Sequence, residues 1–167
     1  PGKWRELSHE ASVLRAHSKM ARRDGKRLII ELKNGKKIEF KDSLPEESEP
    51  LELHRVFAID PQGQWVALFE PTQDSQSYRL VHRVSGKSEE MNGCPVWSPG
   101  GRYFVSLNED HESGRTKNEA ALWYCAKPGE SCQRIWSEDQ GGKLARWKGN
   151  EVELTVTRLD MDAPGAP

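Results

Sequence analysis

A chain of 167 residues, 35% hydrophobic and 31% charged, is long enough for one domain with a real core and too short for two of ordinary size. The mean hydropathy of -0.83 and the lack of any run of about eighteen apolar residues exclude an apolar membrane-spanning helix, while six Trp supply the bodies of a thin, aromatic-rich core. The formal net charge of -1 hides a split, because residues 1–41 hold twelve Lys/Arg against five Asp/Glu and the acidic surplus lies beyond them. Such a split either addresses an acidic partner or lets a basic first segment pack beside an acidic remainder.

The opening Pro1-Gly2-Lys3, without Met, predicts a trimmed start that could have held a targeting segment. In WRELSHEASVLRAHSKM (4–20), Leu7, Ala11, Leu14 and Met20 can share a helical face with Ser8 as N-cap, so residues 1–12 are expected to form a short helix or irregular arm. RLIIELKNGKKIEFKD (27–42) is a hairpin around Asn34-Gly35. DSLPEESEPLE (42–52) is an acidic, Pro-flanked linker.

From there a repeat emerges. FAIDPQGQWVALFE (57–70) and PVWSPGGRYFVSLN (95–108) share one frame: apolar residues, a turn carrying Pro then Gly, an aromatic, and an alternating run. Gly63 and Gly101 are 38 residues apart, and the same step back reaches Gly25. Gly149 follows after 48, the excess matching the polar insertion NEDHESGRTKNEA (108–120). A period of about forty residues made of strands and turns is a signature of β meanders and propeller blades. One unit is expected to place strands at 54–60, 64–70, 77–84 and 87–91, and the next at 95–98, 102–108, 119–126 and 131–137. Weak alternation in Trp65-Val66-Ala67-Leu68-Phe69 marks a strand buried on both faces. The end units are partial: the frame predicts a strand near 13–22, and KLARWKGNEVELTVTRLD (143–160) gives two more before a frayed tail, 161–167. If the ends close a ring, residues 151–158 should lie by the first hairpin.

At Trp97, Ser98, Pro99, Gly101, Arg102, Tyr103 and Phe104 the chain resembles the WD40-like propeller repeat of TolB-type periplasmic proteins, although Gly100 stands where that family carries Asp. Asp60, Pro61, Gly63 and Trp65 fit the same frame more loosely. The resemblance covers roughly half of the chain and implies an all-β, propeller-like antiparallel meander of three to four small or partial blades, in one domain over 1–167, serving protein-protein contacts.

In LWYCAKPGESCQRIW, Cys125 and Cys132 flank the turn dipeptide Pro128-Gly129, so two strands meeting there would bring the sulfurs together. A bridge points to an oxidising compartment, the periplasm or the cell exterior; the alternative is two reduced thiols in a hairpin. Cys94 reads as a small buried hydrophobe.

The chain has no Walker-type loop, H-E-x-x-H, G-x-S-x-G or C-x-x-C, and it is expected to be non-enzymatic and without cofactor. Ser8, His9 and Glu10 are sequence neighbours, which rarely converge as a triad. Asn108, Glu109, Asp110, His111 and Glu112 offer oxygen ligands to a hard cation, but their spacing fits no cage and a solvated loop explains them as well. The aromatics Trp97, Tyr103, Trp123, Tyr124, Trp136 and Trp147 recur at repeat positions, so packing accounts for most of them and one or two at most should be exposed.

Three function classes follow. The first is a periplasmic or secreted scaffold that binds another protein, including an inhibitor or immunity protein that inserts acidic loops into a hostile enzyme. Its candidate contacts are Glu46, Glu47, Glu49, Glu109, Asp110, His111, Glu112 and Arg115. The second binds nucleic acid or an anionic surface through Arg15, Lys19, Arg22, Arg23, Lys26 and Arg27, with steep salt dependence. The third, an enzyme with a loop-built site at the ring centre, would need a cleft with convergent titratable groups.

Overall fold

The computed structural model describes residues 2–43, 51–72, 76–108, 118–126, 131–139 and 142–156. Within that span one helix, α1 (Gly2–Ala16), precedes four antiparallel sheets, none of them closed. The first sheet holds β1 (Ala21–Asp24), β2 (Arg27–Glu31) and β3 (Lys37–Lys41). The second holds β4 (Arg55–Ile59), β5 (Trp65–Pro71), β6 (Gln76–His82) and β7 (Ser88–Met91). The third holds β8 (Cys94–Trp97), β9 (Tyr103–Asn108), β10 (Glu119–Tyr124) and β11 (Gln133–Glu138), and the fourth β12 (Gly142–Lys148) and β13 (Glu151–Val156). Each strand pairs with its neighbour in the chain, as expected of short connections carrying tight turns.

The sheets stack face to face in chain order, and β5 shows why. Its side chains alternate between faces, and both faces are covered. Val66 and Leu68 enter a core with Leu28, Ile30, Val56 and Val81, between the first and second sheets. Trp65 and Ala67 enter another with Leu80, Met91, Phe104, Cys125 and Cys132, between the second and third. Full burial of a side chain such as Leu68 contributes about 1.5–3 kcal/mol, so a polar residue on either face of β5 would be costly.

The repeat frame has a geometric basis. Gly25, Gly63, Gly101 and Gly149 all adopt left-handed backbone, with φ between 58° and 67°. In the second sheet the buried Asp60 carboxylate accepts from the backbone N–H groups of Gln62, Gln64 and Trp65, while Gly63 N–H donates to the Asp60 carbonyl. Thirty-eight residues on, Gly101 N–H donates to the Ser98 carbonyl and Tyr103 N–H to Ser98 Oγ, a looser version with a hydroxyl in place of the carboxylate. The two turns touch, because Gln62 Nε2 donates to the Gly100 carbonyl at 2.6 Å.

Three expectations are corrected. Ser8 lies inside α1 and is no N-cap, since the helix begins at Gly2 and its packed face carries Val13 and Leu14, with Ala11 exposed. The strand expected near 13–22 is confined to β1, because α1 occupies the chain to Ala16 and a turn follows. The second strand of 143–160 does not join the first hairpin: β13 pairs with β12, and β12 packs on β8 and β9, where Trp147 Nε1 donates to the Val96 carbonyl at 3.0 Å. The expected tail, 161–167, lies outside the described residues.

Candidate functional site

Cys125 and Cys132 stand at a disulfide distance, 2.10 Å between sulfurs, and both are buried in the second core. A bridge across so short a loop stabilises by about 2–3 kcal/mol through the unfolded chain. Cys94 is partly buried with a free thiol, which burial pushes up to about 12, so it is no thiolate nucleophile near neutral pH.

Glu46, Glu47, Glu49, Glu109, Asp110, His111, Glu112 and Arg115 lie outside the described residues. The six basic candidates divide. Arg15, Lys19, Arg22, Lys26 and Arg27 are exposed, and Arg23 is half-buried. Arg22 lies 3.8 Å from Glu31, and Arg27 pairs with Asp24 and, at 3.7 Å, with Glu39. Arg23 points inward: its guanidinium bonds Glu10 at 2.9 Å, Asp42 at 3.0 Å and the His54 carbonyl.

Arg23 is the centre of a network that pins α1 to the edge of the second sheet. Glu10 also accepts from Val56 N–H at 2.9 Å, and His9 Nε2 donates to the Phe57 carbonyl at 2.7 Å, so two helix side chains bond the backbone of edge strand β4. Asp42 accepts from Arg55 and from His54 N–H. His54 Nδ1 donates to Glu70 at 2.9 Å, and Arg79 Nε grips both Glu70 oxygens. His9 and Glu10 are thus committed to different partners and do not act together as parts of a triad.

Burial alone would raise the Glu70 carboxyl, but the hydrogen bonds from His54 and Arg79 outweigh it and hold the group below its usual 4.5. His82 is buried against Trp65, with ring centroids 4.5 Å apart. Desolvation, reinforced by Lys33, depresses its pKa below 6.5 against weaker pulls from Asp60 and Glu89. Both depressed groups contribute stability that is present above their unfolded values and lost as pH falls. The melting temperature should therefore stay level above about pH 6.5, decline first through His82 and decline again below about 4.5 through Glu70, each proton adding a slope of up to about 1.4 kcal/mol per pH unit. Thermal melts from pH 7.5 to 3.5 check this, and His82→Gln should remove the first decline and leave the second.

Beside the network lies a cavity of about 380 Å³ walled by Phe57, Phe69, Tyr78 and His9. The β4 register shifts between Val56 and Ala58, which leaves Phe57 as the extra residue facing these rings. At the other end of the sheets, where the repeat turns lie, two further clefts open between successive turns. Among the described residues the most exposed strand is β11, an edge of the third sheet: all six residues are exposed, including Ile135 at 52% and Trp136 at 39%. Of the six repeat aromatics, Tyr103 and Trp136 are the exposed ones.

The network had no signal in the sequence, since its members come from separate polar stretches. The Asp60 turn did have one, because Asp followed by Pro-x-Gly is the pattern of a side chain capping its own turn. The fold and surface define a stack of antiparallel meanders, each holding one turn with a left-handed glycine between its first two strands, and an edge strand, β11, that is exposed among the described residues. No protein-family model, curated protein or solved structure matches the chain.

Proposed function

We propose that the protein is a non-enzymatic scaffold of an oxidising compartment, the periplasm or the cell exterior, that holds another protein along β11, and that its meanders form an arc of the WD40-like repeat. The β11 edge carries this proposal. An edge strand presents unpaired backbone N–H and C=O groups, and natural sheets usually blunt such edges with charge, proline or cover. β11 carries Arg134 and Glu138 and a register shift at Ile135, yet its middle still exposes Ile135 and Trp136, as suits a partner strand that lies beside them and buries both side chains. The buried Cys125–Cys132 pair supports the compartment.

The test is capture of partners from an envelope extract by the unreduced protein and by its Ile135→Ser/Trp136→Ser variant. Both side chains are exposed, so the variant should melt within about 4 °C of the parent, in line with two surface substitutions of up to about 0.5 kcal/mol each. A partner retained by the parent at high salt and lost by the variant is the expected result. Equal retention by both would remove β11 as the site. Nucleic acid alone, released by salt, would favour the basic segment, with Arg15, Lys19, Arg22, Lys26 and Arg27 as its exposed contacts.

A further inference from the structure

The repeat gives one position a common chemistry. The residue after each of the four repeat glycines, Gly25, Gly63, Gly101 and Gly149, is Lys26, Gln64, Arg102 or Asn150: two cations and two amides, all donors, in a chain with 26 carboxylate side chains. Two clefts open beside the last three of them. The one between the turns of the second and third sheets, about 140 Å³, is lined by Gln62, Gln64, Trp65 and Arg102. The one between the turns of the third and fourth, about 570 Å³, is lined by Pro99, Arg102, Tyr103, Trp147 and Asn150. Arg102 borders both, is exposed, and has no ion-pair partner among the described residues. No carboxylate among the described residues lines either cleft.

From this arrangement we infer that the paired clefts form a binding site for an acidic peptide segment of a partner protein, with one Asp or Glu carboxylate on Arg102 and a neighbouring apolar or aromatic side chain between Tyr103 and Trp147. A guanidinium suits a carboxylate because its donors form a planar fork that engages both oxygens. The larger cleft has carbon-rich walls in Pro99, Tyr103 and Trp147, so the ligand must also offer apolar surface. One uncompensated cation is too few for a nucleic acid, whose binding grows with the number of phosphates neutralised. The inference rests on the protein-binding function and adds a second contact, separate from the β11 edge.

The experiment uses fluorescein-labelled hexapeptides, each with one Glu and a Phe one, two or three positions after it, titrated into the full chain and followed by anisotropy. At least one should bind, its Gln counterpart at least tenfold more weakly. Arg102→Gln should cost tenfold or more, and Asn150→Asp, which places a carboxylate in the cleft, should weaken binding in the same direction. Both side chains are exposed, and the Arg102 carbonyl that accepts from Cys125 N–H is kept, so the fold should be unaffected. The Ile135→Ser/Trp136→Ser variant should bind the peptides like the parent, which separates failure of this cleft from failure of the β11 edge. The inference is overturned if no peptide binds, if Gln serves as well as Glu, or if Arg102→Gln changes nothing. It is equally overturned if only dextran sulfate or a single-stranded oligonucleotide binds, with steep loss in salt.

Discussion

Gly93→Ala is expected to destabilise the protein by at least about 3 kcal/mol, lowering the melting temperature by roughly 6–12 °C for a chain of this size. Gly93 links β7 to β8 with φ 97°, a backbone conformation that side chains disfavour. A Cβ there would stand 2.4 Å from the Leu107 carbonyl oxygen, 2.5 Å from its carbon and 2.9 Å from Asn108 N. Those atoms belong to β9, whose Leu107 pairs with Cys94, so relief requires the third sheet to shift against its own ladder. No rotamer change can help, because the obstacle is backbone. Gly149→Ala is the control: its φ of 62° is also left-handed, but nothing lies within 4 Å of the added carbon. That substitution should cost only the conformational part, about 1 kcal/mol and a few degrees. Thermal melts of the two variants separate the terms, and equal losses would mean that the close approach to Leu107 has no energetic weight.

The contrast shows what the sequence could carry. Gly63 and Gly101 were legible because a local pattern, Pro then Gly ahead of an aromatic, recurs at a fixed offset, and turn geometry is set by adjacent residues. The strands of the second and third sheets were legible for the same reason, since each pairs with its neighbour in the chain. Gly93 sits in Asn92-Gly93, which reads as one more turn, and its special status comes from Leu107, fourteen residues further on. The helix start was misplaced because the nearest N-cap residue, Ser8, is not where the packed face demands the helix to begin. The last hairpin was misplaced because ring closure is a long-range arrangement, whereas β12 packs on β8 and β9, with the Trp147 indole donating to Val96. As for function, turn donors such as Arg102 and Asn150 look like ordinary polar surface until the stack sets consecutive turns side by side.

Arg23→Leu is the second large effect: a loss of about 3–5 kcal/mol, or roughly 6–20 °C in melting temperature. Glu10 and Asp42 are both buried, and Arg23 is the cation that joins them. Removing it leaves Glu10 with the Val56 N–H as its remaining bond and Asp42 with Arg55 and His54 N–H. A buried carboxylate without a charged partner is penalised far beyond a lost hydrogen bond, because desolvation falls on a full charge. Adding Glu10→Gln to Arg23→Leu should restore part of the stability, since the amide oxygen can still accept from Val56 N–H without burying a charge. A double-mutant cycle over the two positions measures the coupling, which should be well above 0.5 kcal/mol for groups in direct contact. Arg22→Leu, one residue away but exposed and only 3.8 Å from Glu31, should change stability by no more than about 0.5 kcal/mol. The pair also bears on function. If Arg23→Leu proves as mild as Arg22→Leu, the Arg23 guanidinium is free to serve a partner and the basic segment regains its claim as a phosphate-binding surface. A large difference assigns Arg23 to the fold and leaves Arg15, Lys19, Arg22, Lys26 and Arg27 as the exposed candidates of that segment, Arg22 and Arg27 each with a carboxylate beside them. Five such cations give a slightly shallower salt dependence than six, so the salt slope of any nucleic-acid binding would follow the same division.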